Sequence, residues 1–274
     1  MGGLLVVVLA AYATLAGCGR SHFDALPDGS QEAPDALPDH GIAIRASGSF
    51  IGIAELRRVL PTPTSRTRMT VATWYKSSDV GTLWFDAGPA IDRQSYFSGT
   101  MTSAPTLGTP ILVHQETTTE YAAVPDYGAT PWPFSAQWAH VVCSIDLTQT
   151  TQVDRVRWWV NGELQPVTEG IRLPYPQDLQ LYFGDALPHT FGNKYDGSFD
   201  WEGSLAETYV IWDYALDAAA FVAQTQQGLQ SIQYTGPITT ESLYFNYEVP
   251  GQNLLLGQPD WTATGVTSNS DLPY

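Results

Sequence analysis

The side chains in this chain that could do chemistry are carboxylates and tryptophans. In Tyr195-Asp196-Gly197-Ser198-Phe199-Asp200-Trp201-Glu202, an extended backbone puts Asp200 and Glu202 on one face, because strand side chains repeat every two residues. Glycoside hydrolysis needs two carboxylates roughly 5–10 Å apart. With Asp196 and Glu207 nearby, this is the local acidic group worth naming. The ordinary reading of the same aspartates is turn formation. No Gly-x-Ser-x-Gly elbow, His-Glu-x-x-His helix or phosphate loop occurs. His114, His140 and His189 have no motif partner in the sequence.

The tryptophans offer different chemistry. Arg155-Val156-Arg157-Trp158-Trp159-Val160-Asn161-Gly162 sets two indoles side by side. In a strand, Val156, Trp158 and Val160 share one face, and Arg157, Trp159 and Asn161 share the other. In 138–147, Ala139, Val141, Cys143, Ile145 and Leu147 share one face, and Trp138, His140, Val142 and Ser144 the other. The two apolar faces should meet in a core, each buried side chain contributing roughly 1.5–3 kcal/mol. Sugar rings stack on exposed aromatics, while polar side chains read their hydroxyls. Trp74, Trp138 and Trp159 are therefore candidate ligand contacts, with Arg157 beside them. Tyr127, Trp132 and Phe134 join them from a proline-containing loop.

The elements that must position these groups read as strands. The 274-residue chain is 43% hydrophobic and 12% aromatic, with 24 glycines and 19 prolines, a mix that favours strands and turns. The spacing predicts strands at 48–55, 69–76, 81–86, 110–116, 138–147, 154–161, 179–183, 188–192, 204–213 and 243–249. Asn161-Gly162 is a strong two-residue hairpin signal, returning the chain into 163–165. One helix is expected at 216–227, with Asp217 as its N-cap.

The net charge is −16, with Lys76 and Lys194 the only lysines. Such a chain repels nucleic-acid phosphates and anionic lipid surfaces. The two cysteines, Cys18 and Cys143, read differently. Cys143 lies in an alternating strand and reads as a small buried hydrophobe. Residues 4–15 are an apolar run, shorter than the roughly 20 residues that span a bilayer, and fit a signal-peptide core.

Leu15-Ala16-Gly17-Cys18 resembles a bacterial lipoprotein signal, which implies a signal peptide at 1–17 and lipidation of Cys18. Gly19 after it favours the outer membrane or cell surface by the same resemblance. Asp-Ala-Leu-Pro-Asp occurs at 24–28 and 35–39, so 18–41 reads as a Pro/Asp-rich tether with no apolar face to bury. The expected domain is 42–274.

Five segments in order carry a further resemblance: 69–76 with Trp74, Trp138-Ala139-His140-Val141, Val160-Asn161-Gly162, Gly203-Ser204-Leu205-Ala206-Glu207, and Ala215-Leu216. Together they resemble concanavalin A-like jelly rolls of the laminin-G type, with Trp159 where that family usually has Tyr. The resemblance implies an all-β antiparallel sandwich and Glu207 as a structural glutamate. Calcium is the metal it implies, with Asp196 and Asp200 as the candidates. The Glu-x-Asp-x-Glu strand of retaining glucanases on this fold is absent. The expectation is thus a non-catalytic binding or adhesion module for a glycan. A surface-protein partner is the alternative, and a polysaccharide hydrolase or lyase the second alternative.

Overall fold

The computed structural model describes residues 47–50, 54–60, 64–77, 83–90, 92–99, 110–125, 137–168, 173–194, 201, 203–225, 228–239, 241–248, 250, 252–255, 260–264 and 266–269. Contacts divide the chain into Met1–Ala36 and Leu37–Tyr274, and every described residue belongs to the second unit. The candidates Cys18, Tyr127, Trp132, Phe134, Asp196, Asp200 and Glu202 lie outside the described residues, as do the predicted signal and tether.

The described strands form two large antiparallel sheets. The first runs β10 (Glu163–Gln165), β9 (Val156–Val160), β8 (Ala139–Asp146), β3 (Arg68–Ser77), β13 (Gly203–Trp212), β1 (Ser47–Phe50), β18 (Thr267–Asn269), and β16 (Leu243–Phe245) also pairs with β13. The second runs β11 (Val167–Thr168), β7 (Thr119–Pro125), β6 (Pro110–Glu116), β5 (Arg93–Gly99), β4 (Leu83–Ala90), β12 (Pro188–Phe191), β2 (Glu55–Val59), β17 (Thr262–Thr264). A separate hairpin joins β14 (Phe221–Thr225) to β15 (Gly228–Tyr234).

Alternation sets which side chains meet between the sheets. On the first sheet, Leu243, Val210, Val71, Cys143 and Trp158 lie side by side across five strands. On the second, Leu56, Phe191, Phe85, Phe97, Leu112 and Ala123 form the matching row. All eleven belong to one buried cluster. Phe85 stacks on Phe191 at 4.3 Å and on Phe183 at 4.8 Å, an aromatic seam at the middle of the sandwich. Cys143 is free and buried, as its strand position predicted. Asn161 and Gly162 make the β9–β10 turn with φ of 49° and 82°, the left-handed pair that such a hairpin needs.

Three sequence expectations are corrected. Of the helix expected at 216–227, the described residues 216–225 are not α-helical. Asp217 does accept a hydrogen bond from the Ala219 N–H (2.9 Å), but it caps only the 3-10 turn Ala218–Ala220, and the chain then enters β14. Tertiary packing overrides the alanine-rich propensity: Phe221 stacks on Tyr234 at 4.9 Å and both rings bury against the first sheet. Residues 179–183 are not a strand either; a 3-10 turn at Tyr182–Gly184 drives Phe183 into the core. The predicted strand 48–55 is two strands, β1 in the first sheet and β2 in the second.

Candidate functional site

The outer face of the first sheet gathers every described residue that the sequence nominated for ligand contact. Register places Arg157 beside Ser144 and Thr70 in one row. The next row is Trp159, Val142, Ala72, Tyr209 and Tyr244. Then come His140 with Trp74 and Ala206, the Asn161 N–H bonding the His140 carbonyl. Lys76 and Trp138 lie at the next level, with the Lys76 ammonium 5.9 Å from the Trp138 ring centroid. The Arg157 guanidinium stands 5.3 Å over the Trp159 ring. Trp74, Trp138, Trp159 and Arg157 are thus brought together on one side of one sheet.

That face is mostly roofed. The β14–β15 hairpin lays Phe221, Ile232 and Tyr234 over it, and Leu255 extends the cover. Trp74, expected to offer a stacking surface, is instead 0% exposed, and Trp159 is 8% exposed. Trp138, Arg157, Lys76 and Asn161 are half-buried and form the open margin. Glu207 fastens the roof: its carboxylate accepts the Ile232 N–H at 2.5 Å and the Tyr244 hydroxyl at 3.4 Å. It sits on a bulge with φ of 47°, so its role is structural, as the resemblance implied.

A second group of polar side chains has no counterpart in the sequence expectations. On the outer face of the second sheet, Thr190, Asp86, Tyr96, Val113 and Ala122 form one row directly behind the phenylalanine row. The row continues to half-buried Arg57 and exposed Thr262. Asp86, Thr190, Asn193, Lys194 and Gln94 are all less than 5% exposed. Asn193 and Lys194 follow β12 at the Trp84 end, where the Gly192 N–H bonds the Trp84 carbonyl. Gln94 lies at the Gly88 end, where a Cβ on Gly88 would stand 2.6 Å from the Gln94 Cβ. Trp84 to Gly88 spans about 13 Å of extended chain, so the polar groups form a strip rather than a point. Gln94 donates to Gln115 (3.2 Å) and Asn193 accepts the Lys194 N–H (2.7 Å), yet Gln94 Oε1 and Asn193 Nδ2 are buried without partners. Such atoms carry a desolvation cost of about 1–3 kcal/mol each unless a ligand or water meets them. The alternation of Gln94, Tyr96 and Ser98 against Ser95 and Phe97 was the available signal.

One serine–histidine–carboxylate arrangement occurs among the described residues. Ser95 Oγ lies 2.8 Å from His114 Nδ1, and His114 Nε2 lies 3.9 Å from Glu116. Ser95 is 0% exposed, and its Oγ already accepts the Tyr182 N–H at 2.8 Å. A nucleophile must reach a carbonyl, and this one is sealed. Burial also pushes the His114 imidazole down to about 4. The trio ties the Tyr182–Gly184 turn to β5 and β6. Among the described residues no three His, Cys, Asp or Glu side chains group to hold a metal.

No protein-family profile matches the chain, and no curated protein does. Solved structures do. A Bacteroides ovatus protein provisionally named as carbohydrate-binding is 14% identical with a TM-score of 0.51, over 85% of this chain and 61% of its own. A pentraxin from Limulus polyphemus is 16% identical over 75% of this chain and 94% of its own, with a TM-score of 0.44. Mouse laminin α1 domains LG4-5 are 12% identical over 77% and 49%, with a TM-score of 0.41. At such identities the likeness is one of fold: an antiparallel jelly-roll sandwich of the concanavalin A-like kind.

Proposed function

We propose that the sandwich is a non-catalytic binding module for a carbohydrate, recognised along the polar strip of the second sheet. The observation that carries this reading is the pair of buried, unpartnered atoms at the two ends of the strip. Gln94 Oε1 wants a donor and Asn193 Nδ2 wants an acceptor. A hydroxyl supplies either. Between them lie the Asp86 carboxylate, the Thr190 hydroxyl and the Tyr96 ring. The strip opens to solvent where its row runs out through half-buried Arg57 to exposed Thr262, and a sugar reaches it from that end. The Bacteroides ovatus likeness accords with this reading without reaching the ligand.

The full chain is screened on a glycan array and tested in a reducing-end assay. Binding without cleavage is expected, and Asp86→Asn and Gln94→Leu each weaken it. Cleavage sinks the non-catalytic reading. Absence of any glycan bound, or variants indistinguishable from the parent, sinks the strip.

A protein partner is the second reading. Val153 (68% exposed) and Leu173 (56%) flank a cleft lined by Val156, Val167, Pro174 and Tyr175 at the edge of the sandwich. Attachment to the cell envelope through a lipid on Cys18 belongs to the same proposal, with calcium at Asp196 and Asp200 as an accessory.

A further inference from the structure

The two sheets end together on one flank of the sandwich, and neither edge strand there carries a charged side chain. Among the described strands, β17 (Thr262–Thr264) pairs only with β2, and β18 (Thr267–Asn269) only with β1. Gly265 and Val266 join them in sequence, and Val266 packs against the core, which keeps the two edges on the same flank. Thr262, Ala263, Thr264, Thr267 and Ser268 are all exposed. An exposed edge strand is a template for another strand, and edges are usually blunted by charge. The opposite flank follows that rule. There β10 carries the exposed Glu163 carboxylate, and the Gln165 side-chain amide donates to the Glu163 carbonyl at 3.0 Å.

The sequence of β17 reads the same from either end: Thr262, Ala263, Thr264. The two threonines stand on the outer face beside Arg57 and Glu55 of β2, and Ala263 stands beside Leu56 on the inner face. An antiparallel partner centred on Ala263 therefore sets Thr262 opposite Thr264 and Ala263 opposite Ala263, as a twofold axis requires. Opposed threonines are a favourable cross-strand pair. Each row then runs Arg57, Thr262, the partner's Thr264, the partner's Glu55, and no like charges oppose each other along it. Arg57 and Glu55 are half-buried, and among the described residues neither holds an ion pair. A slip of one residue would set outer side chains against inner ones. The register centred on Ala263 keeps all three residues paired.

We propose that this flank is an interface with a second copy of the chain, formed by antiparallel pairing of β17 with the partner's β17 about a twofold axis. The pairing lies in the plane of the second sheet and leaves its outer face clear. The two strip entrances at Arg57 and Thr262 then adjoin. The contact is made by backbone groups and neutral side chains and needs no ligand, so it is tested apart from the carbohydrate reading.

The test is sedimentation equilibrium of the full chain over a concentration series, beside two double variants at the exposed threonines. The parent is expected to dimerise. Thr262→Lys with Thr264→Lys sets cation against cation in both rows and should weaken the dimer about tenfold or more. Thr262→Glu with Thr264→Lys alternates the charges from Arg57 to the partner's Glu55 and should dimerise at least as tightly as the parent. On a Cys18→Ser background, Ala263→Cys should cross-link two copies under mild oxidation, because opposed Cα atoms about 4.5–5.5 Å apart suit a disulfide. Cys143 is buried and does not compete. All the substituted strand positions are exposed, and an unchanged near-ultraviolet circular dichroism spectrum confirms the fold. A monomeric parent overturns the proposal. So does a lysine variant that dimerises like the parent, a charge-matched variant as weak as the lysine one, or an Ala263→Cys chain that does not cross-link.

Discussion

Trp158 and Trp159 are chain neighbours whose rings lie in different hydrophobic clusters. Trp158 packs edge-on to Phe97 at 5.8 Å between the sheets, and Trp159 packs with Val142 and Trp74 beneath the hairpin. Removing each should therefore report on a different layer. Trp158→Ala is expected to cost about 3–5 kcal/mol through its cavity. Trp159→Ala should cost less, because its ring lies at the margin under Arg157. Urea unfolding midpoints of the two variants measure this. Equal costs would mean that the two layers unfold as one equally packed core.

Glu207→Ala strips the Ile232 N–H and the Tyr244 hydroxyl of their shared acceptor. A lost partner for a buried donor costs about 1–3 kcal/mol. Amide exchange at Ile232 should quicken while exchange at Val71 and Cys143 stays slow, because β14 and β15 pair only with each other. Uniform protection across all three sites would refute Glu207 as the fastening.

Burial lowers His140 to about 3 and both His114 and His189 to about 4. Their ordinary value is about 6.5, so between 6.5 and 4 the unfolded chain binds more protons than the folded one. Stability is then fully present above pH 6.5 and falls as pH drops, by up to about 1.4 kcal/mol per pH unit for each histidine. Unfolding midpoints between pH 7 and 4 should show this decline, and His140→Phe should make it shallower, with the shares of His114 and His189 remaining. A midpoint that holds steady to pH 4 would contradict it.

Gly162 and Gly192 both have φ near 80°, but their surroundings differ. A Cβ at Gly162 meets nothing within 4 Å, whereas at Gly192 it would stand 2.1 Å from Phe50 Cδ1 and 2.5 Å from the Ala54 carbonyl oxygen. Gly162→Ala carries only the left-handed backbone cost of about 1–2 kcal/mol. Gly192→Ala adds a clash with the core and should be markedly less stable. Thermal melts of the pair check the order.

Cys143 is 1% exposed, and burial pushes its thiol well up. It should resist a thiol reagent in the folded protein and react fully in denaturant. Fast labelling of a Cys18→Ser variant under native conditions would disprove the packing.

The alternation of residues in 138–147 and 154–161 sufficed to assign Trp158 and Cys143 to the core and Trp138, His140 and Trp159 to the opposite face. Period-two geometry leaves a strand no other way to bury one apolar set. Asn161-Gly162 fixed its own turn, since both residues tolerate positive φ. The helix expected at 216–227 failed because local propensity is worth tenths of a kcal/mol per residue, less than burying Phe221 and Tyr234 on a sheet the segment cannot know about. The covering of Trp74 has the same origin: nothing in 69–76 specifies a roof supplied by residues 221–255. Likewise Asp86 and Gln94 are far in the chain from Thr190 and Asn193, and only the pairing of β5, β4 and β12 makes them one strip. Which face a side chain takes is decided by its neighbours in sequence; what lies over that face is decided by strands from elsewhere in the chain.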